Sequence, residues 1–181
     1  MAEIGSASSP PVFPQTSEYR VVPGLRAVVS GEGCVAERLA AELARLHVER
    51  PLVVCGERVA QGPTLAVVLA ALGRPATVFP GSRPHTPCEA VEAGAAIARD
   101  ARADAIVAVG GSAAVDCAKG IGVLLATGVE RVARLEPLDF RNLFAPSPAP
   151  PARLPLVAVT TTLSFAEFLP FWGARHGDAR R

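Results

Sequence analysis

Short, mostly apolar runs alternate along this chain with segments of helical period, and this alternation most constrains its fold. One run, residues 105–109, leads directly into Gly110 and Gly111. A strand with one face in solvent shows alternating polarity, so a run without polar positions indicates a strand covered on both faces. The runs interpreted as strands are residues 26–30, 52–55, 76–79, 105–109 and 156–159. With the helices between them, they predict an α/β fold with a Rossmann-like, doubly wound and mostly parallel sheet.

The segments between these runs place their apolar residues at helical spacing. In the first of them, Val35, Leu39 and Leu43 fall on one helical face, which would pack against the sheet. Gly73 and Gly128 follow two later segments, at positions where glycine commonly ends a helix. The predicted helices are residues 34–46, 59–72, 87–103 and 116–127.

Charge and cysteine usage exclude several kinds of partner. The formal net charge of +1 gives no electrostatic attraction to nucleic acid or to an anionic membrane. No apolar run approaches the roughly 20 residues that a bilayer-spanning helix needs. The four cysteines, Cys34, Cys55, Cys88 and Cys117, include no Cys-x-x-Cys pair, which argues against a zinc site or a disulfide framework. We therefore expect no nucleic acid or membrane partner and a reducing, cytoplasmic location.

The segment around Gly110 and Gly111 joins a strand to a helix through a glycine turn. Glycine lets the backbone approach a phosphate closely, and the N–H groups of a helix's first turn face an anion. The order of strand, glycines and helix therefore favours a phosphate or dinucleotide site that includes Ser112 and Ala113. A tight turn without a ligand is the alternative interpretation of the same residues.

This segment also resembles the signature of the iron-containing alcohol dehydrogenase superfamily, three glycines and a serine followed by x-x-Asp-x-Ala-Lys. The matching residues are Gly110, Gly111, Asp116, Ala118 and Lys119, whereas Ser112 stands at the third glycine and Ala113 at the serine. In the family this motif wraps the pyrophosphate of the coenzyme. The resemblance therefore implies NAD or NADP as cofactor, with Gly110, Gly111, Ser112, Ala113 and Asp116 as cofactor-binding residues.

A second segment, residues 156–170, resembles the stretch that follows the next strand in the same superfamily. Its Thr-Thr-Leu-Ser-x-Ala-Glu-Phe sequence is similar to the version found in maleylacetate reductases. The resemblance implies that Thr161, Thr162, Leu163 and Ser164 line the cofactor cleft. A strand end that is rich in threonine only because threonine suits strands is the alternative. His85, in a further matching segment, is expected near the cleft but not as a catalytic residue.

The family match implies a division of the chain. We expect a disordered leader over residues 1–20, a dinucleotide-binding α/β domain over residues 21–172 and a polar tail over residues 173–181. Six prolines between positions 136 and 155 exclude a helix interior or a central strand there, so that stretch should be a surface connection.

The family's all-helical C-terminal metal domain is expected to be absent from this chain. In the family that domain holds a divalent metal beside which hydride transfer occurs, but the sequence ends at Arg181, before its ligands. We therefore expect no metal ligand and no catalytic residue here. The predicted function is the coenzyme-binding half of an NAD(P)-dependent oxidoreductase, with a maleylacetate reductase-like activity as its specific form. A separate C-terminal polypeptide or a homodimer would be its partner.

Three further expectations follow. The departures at Ser112 and Ala113 and the missing metal ligands favour a non-catalytic nucleotide-binding remnant or an interaction module as the alternative function. Gly56 occupies the position after a strand where many relatives carry an aspartate, and Arg58 lies close by, so NADP is as admissible as NAD. The face that would meet the helical domain should leave apolar side chains partly exposed, namely Phe165, Phe168, Phe171 and Trp172.

Overall fold

The computed structural model describes residues 16–19, 25–135 and 153–176, which fall into two compact units, Met1–Cys34 and Val35–Arg181. In the first unit, strands β1 (Thr16–Tyr19) and β2 (Val28–Gly31) pair antiparallel, with Thr16 opposite Gly31. Strand β1 lies within the stretch expected to form a leader. The remainder of that leader, most of the proline-rich connection and the end of the tail lie outside the described residues.

The second unit alternates strands and helices. In chain order its elements are α1 (Cys34–Arg45), β3 (Pro51–Gly56), α2 (Glu57–Ala60), α3 (Pro63–Leu72), β4 (Thr77–Ser82), α4 (Cys88–Asp100), β5 (Ala105–Gly110), α5 (Ser112–Thr127) and β6 (Leu156–Thr160). Among the described residues, the 3-10 helices Val132–Arg134 and Ala166–Phe168 follow α5 and β6. The strands form one parallel sheet in the order β4-β3-β5-β6. The α/β, mostly parallel sheet is as predicted.

Helices cover both faces of this sheet, which makes it doubly wound. Along β3, Leu52 and Val54 pack with α4 and α5 in one apolar cluster. Their neighbours Val53 and Cys55 pack with α1 and α3 in a second cluster on the other face. Successive side chains of a strand point to opposite faces, so a strand buried on both must be apolar throughout. The uninterrupted apolar runs of β3 and β5 have this origin.

Two helix boundaries differ from the sequence-based prediction. The helix expected over residues 59–72 is divided into α2 and α3, because Pro63 starts α3 at a position that suits proline. Helix α5 begins at Ser112 rather than at Asp116, with extended Gly111 as its N-cap. Ser112 and Ala113 therefore belong to the first turn of the helix.

The strand order places a topological switch between β3 and β5. The chain leaves β3 toward β4, on one side, and leaves β5 toward β6, on the other. Loops that diverge at the carboxyl ends of parallel strands open a crevice, and ligands of open α/β sheets bind there. The carboxyl ends of β5 and β6 carry both sequence motifs, at Gly110 and Thr160.

No helix in the described part of the chain combines the length and the apolar character needed to cross a membrane.

Candidate functional site

The glycine turn forms a tight junction between β5 and α5. Gly110 has φ of +145°, a conformation that residues with a side chain rarely adopt, and its added Cβ would lie 3.0 Å from the Cβ of Ala114. Gly111 caps α5 without a side-chain hydrogen bond. The N–H groups of Ser112 and Ala113 have no acceptor inside the helix, because they belong to its first turn. The turn thus presents backbone donors at the carboxyl end of β5.

The threonine segment lies directly beside this turn. Strand β6 continues the register of β5, with Thr160 opposite Gly110. The N–H of Thr161 donates to the carbonyl oxygen of Gly110 at 3.0 Å. An added Cβ on Gly111 would lie 2.6 Å from Oγ1 of Thr162. Two segments far apart in sequence therefore meet at one point of the sheet edge, as the sequence interpretation requires.

The last two predicted residues of this segment lie farther along the turn. Leu163 has a fully exposed side chain, and the hydroxyl of Ser164 donates to Oε2 of Glu167 at 3.1 Å. Phe165, with a left-handed φ of 65°, starts the 3-10 helix, and its ring lies 5.5 Å from that of Phe168. Phe165 is 71% and Phe168 48% exposed, and Phe171 and Trp172 are half-buried, which agrees with the expected partial exposure.

A cleft of about 560 Å³ opens at the N-terminus of α5. Its lining residues are His85, Thr86, Ser112, Ala113, Asp116, Gly173, Ala174 and Arg175. Residues far apart in sequence close one side of it, since the N–H of Arg175 donates to Thr86 at 3.0 Å and the N–H of Cys88 donates to Arg175 at 2.9 Å. The cleft thus contains three predicted cofactor-binding residues, Ser112, Ala113 and Asp116.

Sequence analysis missed Thr86, Gly173, Ala174 and Arg175 as cleft residues. They come together only through the pairing of Arg175 with the segment before α4, and such a long-range contact leaves no local pattern. His85 and Thr86 both have positive φ, which is uncommon in residues other than glycine. His85 lines the cleft, as expected.

Asp116 and Lys119 form a partly buried pair on α5. The Nζ atom of Lys119 lies 4.0 Å from Oδ1 of Asp116. Burial raises the pKa of Asp116, while Lys119 and a hydrogen bond from the backbone N–H of Gly173 oppose that rise. Burial lowers the pKa of Lys119, opposed by the carboxylates of Asp116 and Glu167. Each charge therefore partly offsets the effect of burial on the pKa of the other.

Outside the cleft, the described residues contain a smaller cavity and no cluster of metal-binding side chains. A smaller cavity of about 170 Å³, lined among others by Arg99, Leu125 and Leu154, contains none of the predicted site residues. Within residues 16–19, 25–135 and 153–176, no three His, Cys, Asp or Glu side chains are grouped closely enough to hold a metal ion.

Comparison with known proteins gives consistent relatives. Maleylacetate reductase 2 of Cupriavidus pinatubonensis is 32% identical over 155 residues, which cover 85% of this chain and 35% of that protein. The solved maleylacetate reductase of Agrobacterium tumefaciens is 24% identical with a TM-score of 0.57, over 80% of this chain and 33% of that one. A solved sulfoacetaldehyde reductase of Bifidobacterium kashiwanohense, in complex with NAD+, is 21% identical with a TM-score of 0.57, over 74% and 34%.

The chain spans about a third of the length of each of these relatives. The family model for iron-containing alcohol dehydrogenases matches residues 26–172, which is most of the chain. This protein therefore belongs to the iron-containing alcohol dehydrogenase family.

Proposed function

We propose that this chain is the coenzyme-binding part of an NAD(P)-dependent oxidoreductase and that the coenzyme binds at the carboxyl ends of β5 and β6. The observation that carries the proposal is the contact between Gly111 and Thr162, where an added Cβ would lie 2.6 Å from Oγ1. A side chain at position 111 would displace Thr162 and with it the threonine segment beside the backbone donors of α5. A glycine at this place therefore lets the two predicted cofactor-binding segments meet at the N-terminus of α5.

The residues present fit the pyrophosphate of a dinucleotide. The first-turn N–H groups of Ser112 and Ala113 offer donors, and the N-terminal end of α5 carries partial positive charge. Arg175 adds a cationic side chain to the same cleft. The cleft volume of about 560 Å³ lies in the range of small-molecule sites. These features together would hold a doubly charged phosphate group without requiring the serine hydroxyl that Ala113 replaces.

When bound, a nicotinamide coenzyme supplies or accepts a hydride, and this chain's own residues would bind and orient it. In the proposed arrangement the turn at Gly110 and Gly111 brings the backbone to the donors that would hold the pyrophosphate, and Thr161 and Thr162 lie beside that turn. Leu163 and Ser164 follow them, and Asp116 faces the cleft from one helical turn farther into α5. The described residues offer no grouped metal ligands, so no step is assigned to a metal here.

The proposed reaction class follows the relatives. Two of them are maleylacetate reductases by name, and the third was solved with NAD+. A maleylacetate reductase-like reduction of a small dicarboxylate is thus the specific activity that we propose. This activity would require the part of the relatives that this chain does not cover. That part would be supplied by the same polypeptide, by a separate one or in a homodimer.

Both coenzymes are included in the proposal because of the residues after β3. Gly56 ends β3 and caps α2, and Arg58 is exposed in the first turn that follows. An aspartate at the end of this strand would accept the ribose hydroxyls and repel a 2′-phosphate. Because position 56 carries no aspartate, the 2′-phosphate of NADPH would meet no like charge there. Arg58, two residues later, would offer it a positive charge.

Calorimetric titration of the purified chain with NADH and with NADPH tests the proposal. We expect saturable binding that Gly111→Ala weakens about tenfold, a loss of about 1.4 kcal/mol. Gly122→Ala is the matched control, because Gly122 is also on α5 and its added Cβ would meet only Ile106 at an ordinary 3.7 Å. If the folded chain binds neither coenzyme at millimolar concentration, the proposal is wrong and the non-catalytic remnant or interaction module replaces it.

A further inference from the structure

Lys119 is the only lysine of the chain, which otherwise uses arginine as its basic residue. Its ammonium group donates to the carbonyl oxygens of Ala166, Leu169 at 2.8 Å and Phe171 at 3.0 Å. The side chain is only 9% exposed. Three carbonyls use all three ammonium donors, so Lys119 is fully engaged with one backbone segment and points to no ligand.

That segment, residues 166–173, is here named the strap. The backbone N–H of Gly173, at the strap's end, lies close enough to the Asp116 carboxylate, one helical turn before Lys119, to lower its pKa against the effect of burial. Trp172 lies against α5 at Gly120, where an added Cβ would be 2.7 Å from Cζ3 of its ring. One face of α5 therefore contacts the strap in three ways: through the ammonium of Lys119, through the carboxylate of Asp116 and through Gly120, on which the ring of Trp172 packs.

The strap leads directly into one wall of the cleft. Gly173, Ala174 and Arg175 line the cleft together with Ser112 and Ala113. Beyond the strap, Arg175 is held by backbone hydrogen bonds to Thr86 and Cys88. The wall is thus fixed at two points, by the side chains of α5 and by the pairing with the segment before α4.

We propose that Lys119 and Asp116 are positioning residues that fasten the strap to α5 and thereby build the wall of the cleft. Neither needs to touch the coenzyme for this role. The fastening stands on the contacts alone, whereas its effect on coenzyme affinity rests on the proposed function. It also accounts for the choice of lysine, because a compact ammonium directs three donors at three separate carbonyls, and the planar fork of arginine does not.

The test compares Lys119→Met with Lys119→Arg and with Glu92→Gln as matched control. Glu92 also holds a loop, since its carboxylate accepts from the N–H of Val132 at 2.9 Å and pairs with Arg131, but that loop is not part of the cleft. Trp172 is the chain's only tryptophan and lies within the strap, so acrylamide quenching of its fluorescence reports whether the strap is released.

For Lys119→Met we expect about a threefold rise in the quenching constant of Trp172, because an unfastened strap samples open states. The dissociation constant for NADH should rise about tenfold, because binding must first select the fastened state. Lys119→Arg should fall between Lys119→Met and the wild type, and Glu92→Gln should change neither quantity. Unchanged quenching in Lys119→Met would overturn the proposal.

The two proposals fail in different ways. If the wild type binds no coenzyme but Lys119→Met still exposes Trp172, the fastening stands and the proposed function falls. If Lys119→Met does not fold, acylation of the wild-type chain by a succinimidyl ester takes its place. We expect Lys119 to react about tenfold more slowly than the lysine of a short peptide, since the strap must open first. Acylation at the peptide's rate would overturn the fastening.

Discussion

The side chain of Thr162 occupies the space that any side chain on Gly111 would need, with Oγ1 only 2.6 Å from the position of an added Cβ. The hydrogen bond from Thr161 to Gly110 keeps the two segments in this arrangement. The glycine turn and the threonine segment therefore form one structural element, although about 50 residues separate them in the sequence. A change in one is expected to be felt in the other.

This relationship predicts that Thr162→Ala partly rescues Gly111→Ala. The single change Gly111→Ala should turn the exposed Thr162 side chain out of its rotamer, at a cost of about 0.5–1.5 kcal/mol, and weaken NADH binding. Removing Oγ1 and the methyl group relieves that contact but leaves the cost of alanine at the N-cap. A double-mutant cycle on NADH affinity measures the coupling between the two positions. Strictly additive effects would mean that the two side chains do not meet.

Local sequence signals were sufficient for most of the sheet and for the glycine turn. The strand at residues 105–109 and the glycines after it lie next to each other in sequence, and the apolar runs of β3 and β5 reflect burial on both faces. Helix α5 begins four residues before the predicted start because its N-cap is a glycine without a capping side chain, and no capping signal therefore marks the boundary in the sequence.

The wall of the cleft could not be predicted from sequence. Arg175 joins the wall through backbone hydrogen bonds with Thr86 and Cys88. Lys119 holds the strap that leads to the wall through carbonyl groups about 50 residues farther along the chain. Backbone acceptors are available in every residue, so no residue type marks them. The signature lysine was recognised by resemblance, but only the structure shows which groups it contacts.

A second prediction concerns the packing of α4 on α5. An added Cβ on Gly94 would lie 2.4 Å from Cδ1 of Ile121 and 2.8 Å from the ring of Phe79, both buried. Gly94→Ala should therefore lower the free energy of unfolding by about 1–3 kcal/mol, the usual cost of overpacking a core. Gly122→Ala, on the neighbouring helix but with ordinary contacts, should be neutral or stabilising. Urea unfolding of both variants measures the two free energies of unfolding. Equal values would contradict the close contact at Gly94.

A third prediction separates stability from coenzyme binding. Asp104 precedes β5 at the opposite edge of the sheet from the cleft and accepts hydrogen bonds from the N–H groups of Glu49 at 3.0 Å and Arg50 at 2.8 Å. Asp104→Ala should cost about 0.5–1.5 kcal/mol of stability, because both solvent-exposed donors exchange this partner for water. NADH affinity of the folded variant should equal that of the wild type. A parallel loss of affinity would mean that the two edges of the sheet are coupled.

The last prediction concerns alkaline pH and the thiol of Cys117, which is buried between α5 and the sheet. Burial, with a smaller contribution from the Asp116 carboxylate, raises its pKa from 9.0 to about 12. Because the folded-state pKa is the higher one, the stabilising effect of the neutral thiol is complete below pH 9 and is lost as the pH rises toward 12. At pH 10.5 the loss should be about 2 kcal/mol.

Urea unfolding at pH 8 and pH 10.5 should therefore show a smaller decline in the free energy of unfolding for Cys117→Ala than for the wild type. Ile121→Val, which also trims the buried face of α5 but removes no thiol, should decline as the wild type does. Equal declines in all three proteins would mean that Cys117 ionises in the folded chain as readily as in the unfolded one.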